Sequence, residues 1–111
     1  MSEPTIDLPT FAELQTAAGA AFVTELVDTF LEEAPTMLAE LRAAQAAGAA
    51  DVFRRAAHSL KSNSHTFGAT ALGALARDLE LGGLIADTGP LDALEAEYRR
   101  VAAALAELSR G

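Results

Sequence analysis

The apolar residues of this chain recur at intervals of three and four positions, which is the period of an amphipathic α-helix. The longest stripe keeps one phase from Ala20 to about Ala47. Pro35 lies inside it, where a proline should remove one backbone hydrogen bond and kink the helix. We therefore predict one long helix, with two helices that meet at Pro35 as the alternative. The stripe consists of Phe22, Val23, Leu26, Val27, Phe30, Leu31, Ala34, Leu38 and Leu41.

A short helix is predicted before this stripe. Thr10 and Glu13 have the spacing of a capping box, in which each side chain bonds to the backbone of the other residue. They indicate a helix over about residues 10–18 that ends near Gly19, because glycine commonly follows the last turn of a helix.

Three more helices are predicted after Gly48. The first is opened by Asp51 or a neighbour and runs to about Phe67, with Gly68 as its stop. The second runs from Thr70 to the pair of glycines at 82–83, and the last spans about residues 91–108, after a loop through residues 87–90. The inward positions are Phe53, Ala56, Ala57, Leu60 and Phe67, then Leu72, Leu75, Ala76 and Leu79, then Leu94, Tyr98, Val101, Leu105 and Leu108.

The fold class that follows is all-α. Alanine and leucine dominate, and no segment alternates apolar and polar residues as a half-buried strand would. Short turns between the helices allow only neighbouring antiparallel pairs. We predict a single domain over residues 1–111, an antiparallel four-helix bundle over about residues 20–109 with the short N-terminal helix as a cap.

Composition and charge exclude several classes of protein. No uninterrupted apolar run reaches the length of a membrane span, the N-terminus does not read as a signal peptide, and cysteine is absent. A cytoplasmic protein is expected. The net charge of −8 argues against binding to nucleic acid. Three cations against one carboxylate give residues 51–65 a charge of +2, which leaves −10 on the rest of the chain.

His58 is the candidate reactive residue. On a helical wheel with about 100° per residue and His58 at zero, Leu60 lies at about 200° and faces the core, so His58 faces solvent. A neutral imidazole is nucleophilic near neutral pH, and phosphoryl transfer needs positioning and charge neutralisation. Five other residues share the face of His58 on this wheel. They are Arg54 at about −40°, Arg55 at about +60°, Lys61 at about −60°, Ser62 at about +40° and His65 at about −20°.

The segment around His58 resembles the histidine phosphotransfer (HPt) domains of two-component phosphorelays. Their pattern is approximately H-x-L-K-G-x-S-x-x-x-G-A, followed by spaced leucines and an L-E. The resemblance extends over about residues 26–80 and includes residues 30–35, Phe-Leu-Glu-Glu-Ala-Pro. The matching positions are Ala56, Ala57, His58, Leu60, Lys61, Ser64, Gly68, Ala69, Leu72, Leu75, Leu79 and Glu80.

The resemblance implies a role for four side chains. His58 would accept the phosphoryl group, through Nε2, and Lys61 would stabilise it. Ser62 replaces the usual glycine, and its hydroxyl either crowds a partner or bonds to the phosphoryl group. Glu80 lies where some members have glutamine. It either orients the His58 ring or pairs with Arg77 alone.

The resemblance also implies the partners. A sensor histidine kinase, possibly a hybrid one with its own receiver domain, would supply the phosphoryl group, and the aspartate of a response-regulator receiver would accept it. The receiver would bring Mg²⁺, and the chain needs no cofactor of its own. The sequence has no phosphate-binding loop for ATP, so we expect a relay intermediate and not an enzyme. A monomer is expected. An apolar rim that uses Ala57, Phe11 and Leu14 is expected to dock the partner.

Other interpretations use the same residues. His65 lies about 10 Å along the helix axis from His58, too far for both to bind one metal ion, and is expected to be a surface histidine that is not phosphorylated. A helical adaptor or dimerisation module without phosphotransfer is the main alternative to the relay. A metal-binding bundle would need inward-facing Glu and His pairs, and the inward positions are apolar.

Overall fold

The computed structural model describes residues 5–110 and contains five helices, with no strand among those residues. In chain order they are α1 (Leu8–Ala18), α2 (Ala20–Ala47), α3 (Ala50–Thr66), α4 (Thr70–Gly82) and α5 (Gly89–Arg110). The all-α prediction is confirmed. None of the described helices combines the length and the hydropathy needed to cross a membrane.

The start of α1 corrects the predicted capping box. Asp7 is the N-cap, and its carboxylate accepts hydrogen bonds from the backbone N–H of Thr10, at 3.2 Å, and from the Thr10 hydroxyl. Aspartate caps a helix as well as threonine does, and Pro9 fits the first turn because the missing N–H has no partner there. The helix therefore begins at Leu8, two residues earlier than predicted.

Helix α2 is continuous through Pro35, so the alternative of two separate helices is wrong. Its stripe is confirmed at six buried positions and corrected at Phe22, whose exposed fraction is 51%. Leu26 and Leu31 are half-buried against the core, and Ala44 is a buried position that the predicted stripe did not include. Phe22 lies about 100° from Val23 on the wheel, outside the arc that faces the core. The buried positions are Val23, Val27, Phe30, Ala34, Leu38, Leu41 and Ala44.

Helices α3 and α4 form a hairpin around Gly68, close to the predicted bounds. Gly68 has φ +81°, a conformation that residues with a side chain rarely adopt. The backbone N–H of Asp7 donates to the Gly68 carbonyl over 2.8 Å, and a Cβ on Gly68 would lie 2.8 Å from the Asp7 carbonyl oxygen. The residue before α1 is thereby tied to the α3–α4 turn, and glycine is required at that contact.

Helix α5 begins at Gly89, two residues before the predicted start, because Pro90 belongs to its first turn and not to the loop. Polar contacts hold the chain here. The side-chain amide of Gln45 accepts from the Ile85 N–H and donates to the Ile85 carbonyl. Arg42 on α2 pairs with Asp92 at 2.6 Å and with Glu95 at 2.7 Å on α5.

Each of the four long helices packs against two others, in the cyclic order α2, α3, α4, α5, and α1 packs on α2 and α3. This is an antiparallel four-helix bundle with an added N-terminal helix. The core contains residues from all five helices, including Phe11, Phe53, Leu72 and Leu94. The bundle presents the outer face of α3 on its surface.

Candidate functional site

His58 lies on the exposed face of α3. The buried residues of this helix are Phe53, Ala56, Ala57, Leu60 and Ser64. His58 projects from the opposite side, and 58% of its side chain is exposed. The predicted solvent exposure is confirmed. A partner can therefore reach the imidazole without any rearrangement of the bundle.

Glu80, near the end of α4, joins His58 and Lys61 across the α3–α4 pair. Its Oε2 atom lies 2.7 Å from Nδ1 of His58, and its Oε1 atom lies 2.6 Å from Nζ of Lys61. Only 16% of the Glu80 side chain is exposed. The sequence left open whether Glu80 would meet the histidine or pair with Arg77. The carboxylate meets His58, and the described residues include no Glu80–Arg77 ion pair.

The electrostatics of this triad fix the roles of the two imidazole nitrogens. The Lys61 ammonium, and after it the His58 ring, holds the pKa of Glu80 below its usual range. Glu80 is therefore ionised at neutral pH and can only accept hydrogen bonds. Nδ1 of His58 must carry the hydrogen of the 2.7 Å contact. In neutral imidazole, the lone pair then belongs to Nε2, the nitrogen that points away from Glu80.

Ser62 is exposed one turn after His58. Three polar neighbours in the same part of α3 donate to the carbonyl four residues earlier: Asn63 to Ser59, Ser64 to Leu60 and Thr66 to Ser62. The Ser62 hydroxyl makes no such bond in the part of the chain that the structure describes. It remains available to a group bound beside His58.

His65 is exposed and its ring rests against α4 at Gly73. A Cβ added to Gly73 would lie 2.8 Å from Cε1 and Nε2 of the His65 imidazole, so the glycine makes room for the ring. His65 does not join the triad of His58, Lys61 and Glu80. Between residues 5 and 110, no group of three or more histidine, aspartate or glutamate side chains is placed to hold a metal ion.

Comparison with known proteins identifies the family. The family model for the Hpt domain matches residues 25–107. The chain belongs to the Hpt domain family. Hpt domains have a histidine phosphotransfer role in phosphorelay signal transduction, with kinases and receiver domains of two-component systems as partners, and they act as intermediates rather than catalysts.

A solved structure agrees with this assignment. The crystal structure of histidine-containing phosphotransfer protein B from Pseudomonas aeruginosa PAO1 superposes with a TM-score of 0.84 at 26% sequence identity. The alignment covers 98% of this chain and 97% of that protein. No curated protein matches the sequence significantly. The structural likeness extends over the whole Hpt bundle, including α1, which lies outside the segment that the family model matches.

The surface beside His58 differs from the apolar rim that was predicted for this Hpt domain. Phe11 and Ala57 are 3% and 0% exposed, because both side chains complete the core, and they cannot form such a rim. Leu14, the third residue expected there, is half-buried against the core. A groove between α2 and α3, which the helical pattern alone did not predict, lies there instead. Val52, with an exposed fraction of 39%, marks its apolar part. The groove is lined by Met37, Glu40, Val52, Arg55, Ala56 and Ser59.

The groove and the triad lie on opposite sides of His58. Ser59 and Arg55, at positive angles on the wheel, line the groove on the α2 side, and Lys61, at a negative angle, contacts α4. The sequence did contain one signal of this groove. Val52 is an apolar residue on an otherwise polar part of the α3 wheel. His58 is thus flanked by an anionic partner on one side and by an open, mixed surface on the other.

Proposed function

We propose that this Hpt domain relays a phosphoryl group through phosphohistidine at His58. The donor is a sensor histidine kinase or its receiver domain, the acceptor is the aspartate of a response-regulator receiver, and the relay operates in the cytoplasm. The observation that carries the proposal is the contact between His58 Nδ1 and Glu80, at 2.7 Å, on an imidazole that is 58% exposed on its helix.

The contact suits the chemistry because it leaves the lone pair on Nε2. In transfer from a receiver, Nε2 attacks the phosphorus of the aspartyl phosphate. The N–P bond forms, the O–P bond breaks, and the aspartate leaves as a carboxylate. The proton stays on Nδ1, and the positive charge that develops on the ring is balanced by Glu80. The reverse sequence passes the group to the next receiver.

Lys61 and Ser62 support this step in the proposal. The Lys61 ammonium, 2.6 Å from Glu80, keeps the carboxylate ionised and in place. The family resemblance also assigns Lys61 to stabilisation of the phosphoryl group, which is a second use of the same charge. The Ser62 hydroxyl is free to donate a hydrogen bond to a phosphoryl oxygen.

Mg²⁺ is expected to come from the receiver, which holds it next to its own aspartate, and this chain contributes no cofactor. We expect the chain to act as a monomer, because one exposed histidine with its carboxylate partner is complete within one subunit. ATP would be used only by the kinase that starts the relay.

The test is transfer from a radiolabelled phosphorylated receiver to the wild type, His58→Gln and His65→Gln. We expect label that is stable to base and labile to acid, lost in His58→Gln and kept in His65→Gln. His65 is the matched control because it is exposed on the same helix face.

Failure of the wild type to take label would refute the relay, provided that the same receivers exchange phosphate with another Hpt domain. Binding of those receivers without any transfer would then favour a helical adaptor. Label retained in His58→Gln would move the reactive site elsewhere.

A further inference from the structure

The reactive nitrogen of His58 is the one that does not contact Glu80 on α4. Nδ1 is bonded to Glu80 on α4, and the two nitrogens of an imidazole point in widely different directions. Nε2 is therefore directed away from Glu80, and the groove between α2 and α3 lies on that side of His58. A phosphoryl group carried on Nε2 would project toward that groove and away from the Glu80 carboxylate.

Arg55 is the cation on this side. It lies one turn before His58 and lines the groove with Ser59. Side chains on a helix lean toward its N-terminus, so the His58 ring extends over the turn that carries Arg55, and the Arg55 side chain leans in the same direction, toward Asp51. Its Nε makes one long bond, 3.4 Å, to the Asp51 carbonyl. Its terminal nitrogens form no hydrogen bond or ion pair with residues 5–110, although Glu40 lines the same groove.

The two other cations near His58 are already engaged. Lys61 lies on the α4 side, with its ammonium 2.6 Å from Glu80. Arg54 also lies toward α4 on the wheel, and it pairs with Asp51 at 3.1 Å. Of the three basic residues on this face, Arg55 alone combines a position on the Nε2 side with a guanidinium whose terminal nitrogens are free.

We infer that Arg55 contacts the phosphoryl group on Nε2 of His58, from the side of the ring opposite to Lys61 and Glu80. The inference rests on the proposed function. A guanidinium presents N–H donors in a fork that matches two phosphate oxygens, and it stabilises the charge that they carry in the transition state. Arg55 moves no proton. It favours formation and transfer of the N–P bond by electrostatic contact alone.

The experiment uses phosphoramidate, a small phosphoryl donor that has no protein surface to dock. Nε2 of His58 displaces ammonia from phosphorus, so the N–P bond of the reagent breaks as the new one forms. The rate of phosphohistidine formation, followed by ³¹P NMR, is compared for the wild type, Arg55→Gln, Arg55→Lys and Arg54→Gln. Arg54 is the matched control because it is adjacent and exposed.

We expect Arg55→Gln to slow the reaction about tenfold, the effect of one lost charge-assisted hydrogen bond at an exposed site. Arg55→Lys should recover part of the rate, and Arg54→Gln should leave it unchanged. The ³¹P shift of phosphohistidine should move in Arg55→Gln and not in Arg54→Gln. The substituted side chains are exposed, and unchanged circular dichroism would confirm that the variants fold.

Equal rates and equal ³¹P shifts for Arg55→Gln and Arg54→Gln would overturn the inference. So would a loss that occurs with a phosphorylated receiver but not with phosphoramidate, because Arg55 would then contact the partner and not the phosphoryl group. If the wild type is labelled at His58 and Arg55→Gln is labelled at the same rate, this inference alone is refuted and the relay stands. Wild-type protein that accepts nothing from receivers refutes the relay, and the inference with it.

Discussion

At the level of single residues, Glu80 determines which atom of His58 can react. One carboxylate oxygen faces the imidazole and the other faces the Lys61 ammonium, both within 2.7 Å. If Glu80 were neutral, none of the described contacts would require a hydrogen on Nδ1 of His58. The ring would then be free to place its lone pair on either nitrogen.

Replacement of Glu80 by glutamine should reveal a pH-dependent contribution to stability. The pKa of Glu80 is lowered from 4.5 in the folded protein by Lys61 and His58. A lowered pKa stabilises the fold above pH 4.5, and this contribution disappears as the pH falls through the folded-state pKa. Glu80→Gln should therefore unfold more easily than the wild type at pH 7, and the difference should shrink in acid.

Denaturant unfolding of both proteins over a range of pH measures this difference. Glu33→Gln is the control, because Glu33 is exposed on α2 and forms no described ion pair. A difference between the wild type and Glu80→Gln that is constant from neutral pH to below 4 would contradict the assigned ion pairs. NMR of the His58 ring nitrogens should also show a loss of the Nδ1–H preference in Glu80→Gln.

The sequence could predict the exposed residues of this site but not its contact across two helices. The wheel of α3 correctly placed His58 and Ser62 outward, because the buried arc of one helix follows from its own residues. Whether Glu80 meets His58 depends on how far α3 and α4 are shifted along each other. Arg77 lies on the same helix as Glu80, and the sequence alone left Arg77 and His58 as the two candidate partners of the Glu80 carboxylate.

At the level of helices, a tyrosine of α5 compensates for the proline in α2. Pro35 has no N–H, so the Leu31 carbonyl lacks its usual helical donor. The Tyr98 hydroxyl donates to that carbonyl over 3.5 Å. Its ring packs edge-on against Phe30 at 6.0 Å, and burial raises the pKa of the phenol. Helix α2 thus stays continuous with help from another helix.

Tyr98→Phe should lower the free energy of unfolding by about 0.5–1.5 kcal/mol, the usual value of one hydrogen bond. The 3.5 Å distance favours the lower part of that range. In a Pro35→Ala background, Tyr98→Phe should lower the free energy of unfolding by less, because the N–H that alanine restores at position 35 can bond to the Leu31 carbonyl. Urea unfolding of the four proteins gives the coupling. Equal costs in both backgrounds would show that the hydroxyl acts elsewhere.

The ends of the helices were harder to predict than their middles. The stripe of α2 repeats over many turns, so one misplaced residue such as Phe22 does not hide it. A helix start depends on one or two residues, and α1 offers two good caps, Asp7 and Thr10. Asp7 serves as the cap, and its backbone N–H also bonds to Gly68 of the α3–α4 turn, a contact between distant segments that local capping rules do not include.

At the level of the whole molecule, the N-terminal helix belongs to the same core as the bundle. Ile6 and Phe11 are each 3% exposed and lie in one cluster with buried residues of the other four helices. The sequence predicted that Phe11 would belong to an apolar rim that docks the partner. Burial of Phe11 makes that expectation wrong, because its side chain is not available to a partner and its removal leaves a cavity.

Phe11→Ala should instead lower the free energy of unfolding by about 3 kcal/mol or more, the usual loss for a buried phenylalanine. Leu8→Ala in the same helix should change it by less than about 0.5 kcal/mol, because Leu8 is 56% exposed. Denaturant unfolding compares the two, and hydrogen exchange at α3 amides shows whether the bundle is affected. If Phe11→Ala loosens α1 while α3 keeps its full protection, the N-terminal helix is an independent attachment, and the four-helix bundle holds His58 in place without it.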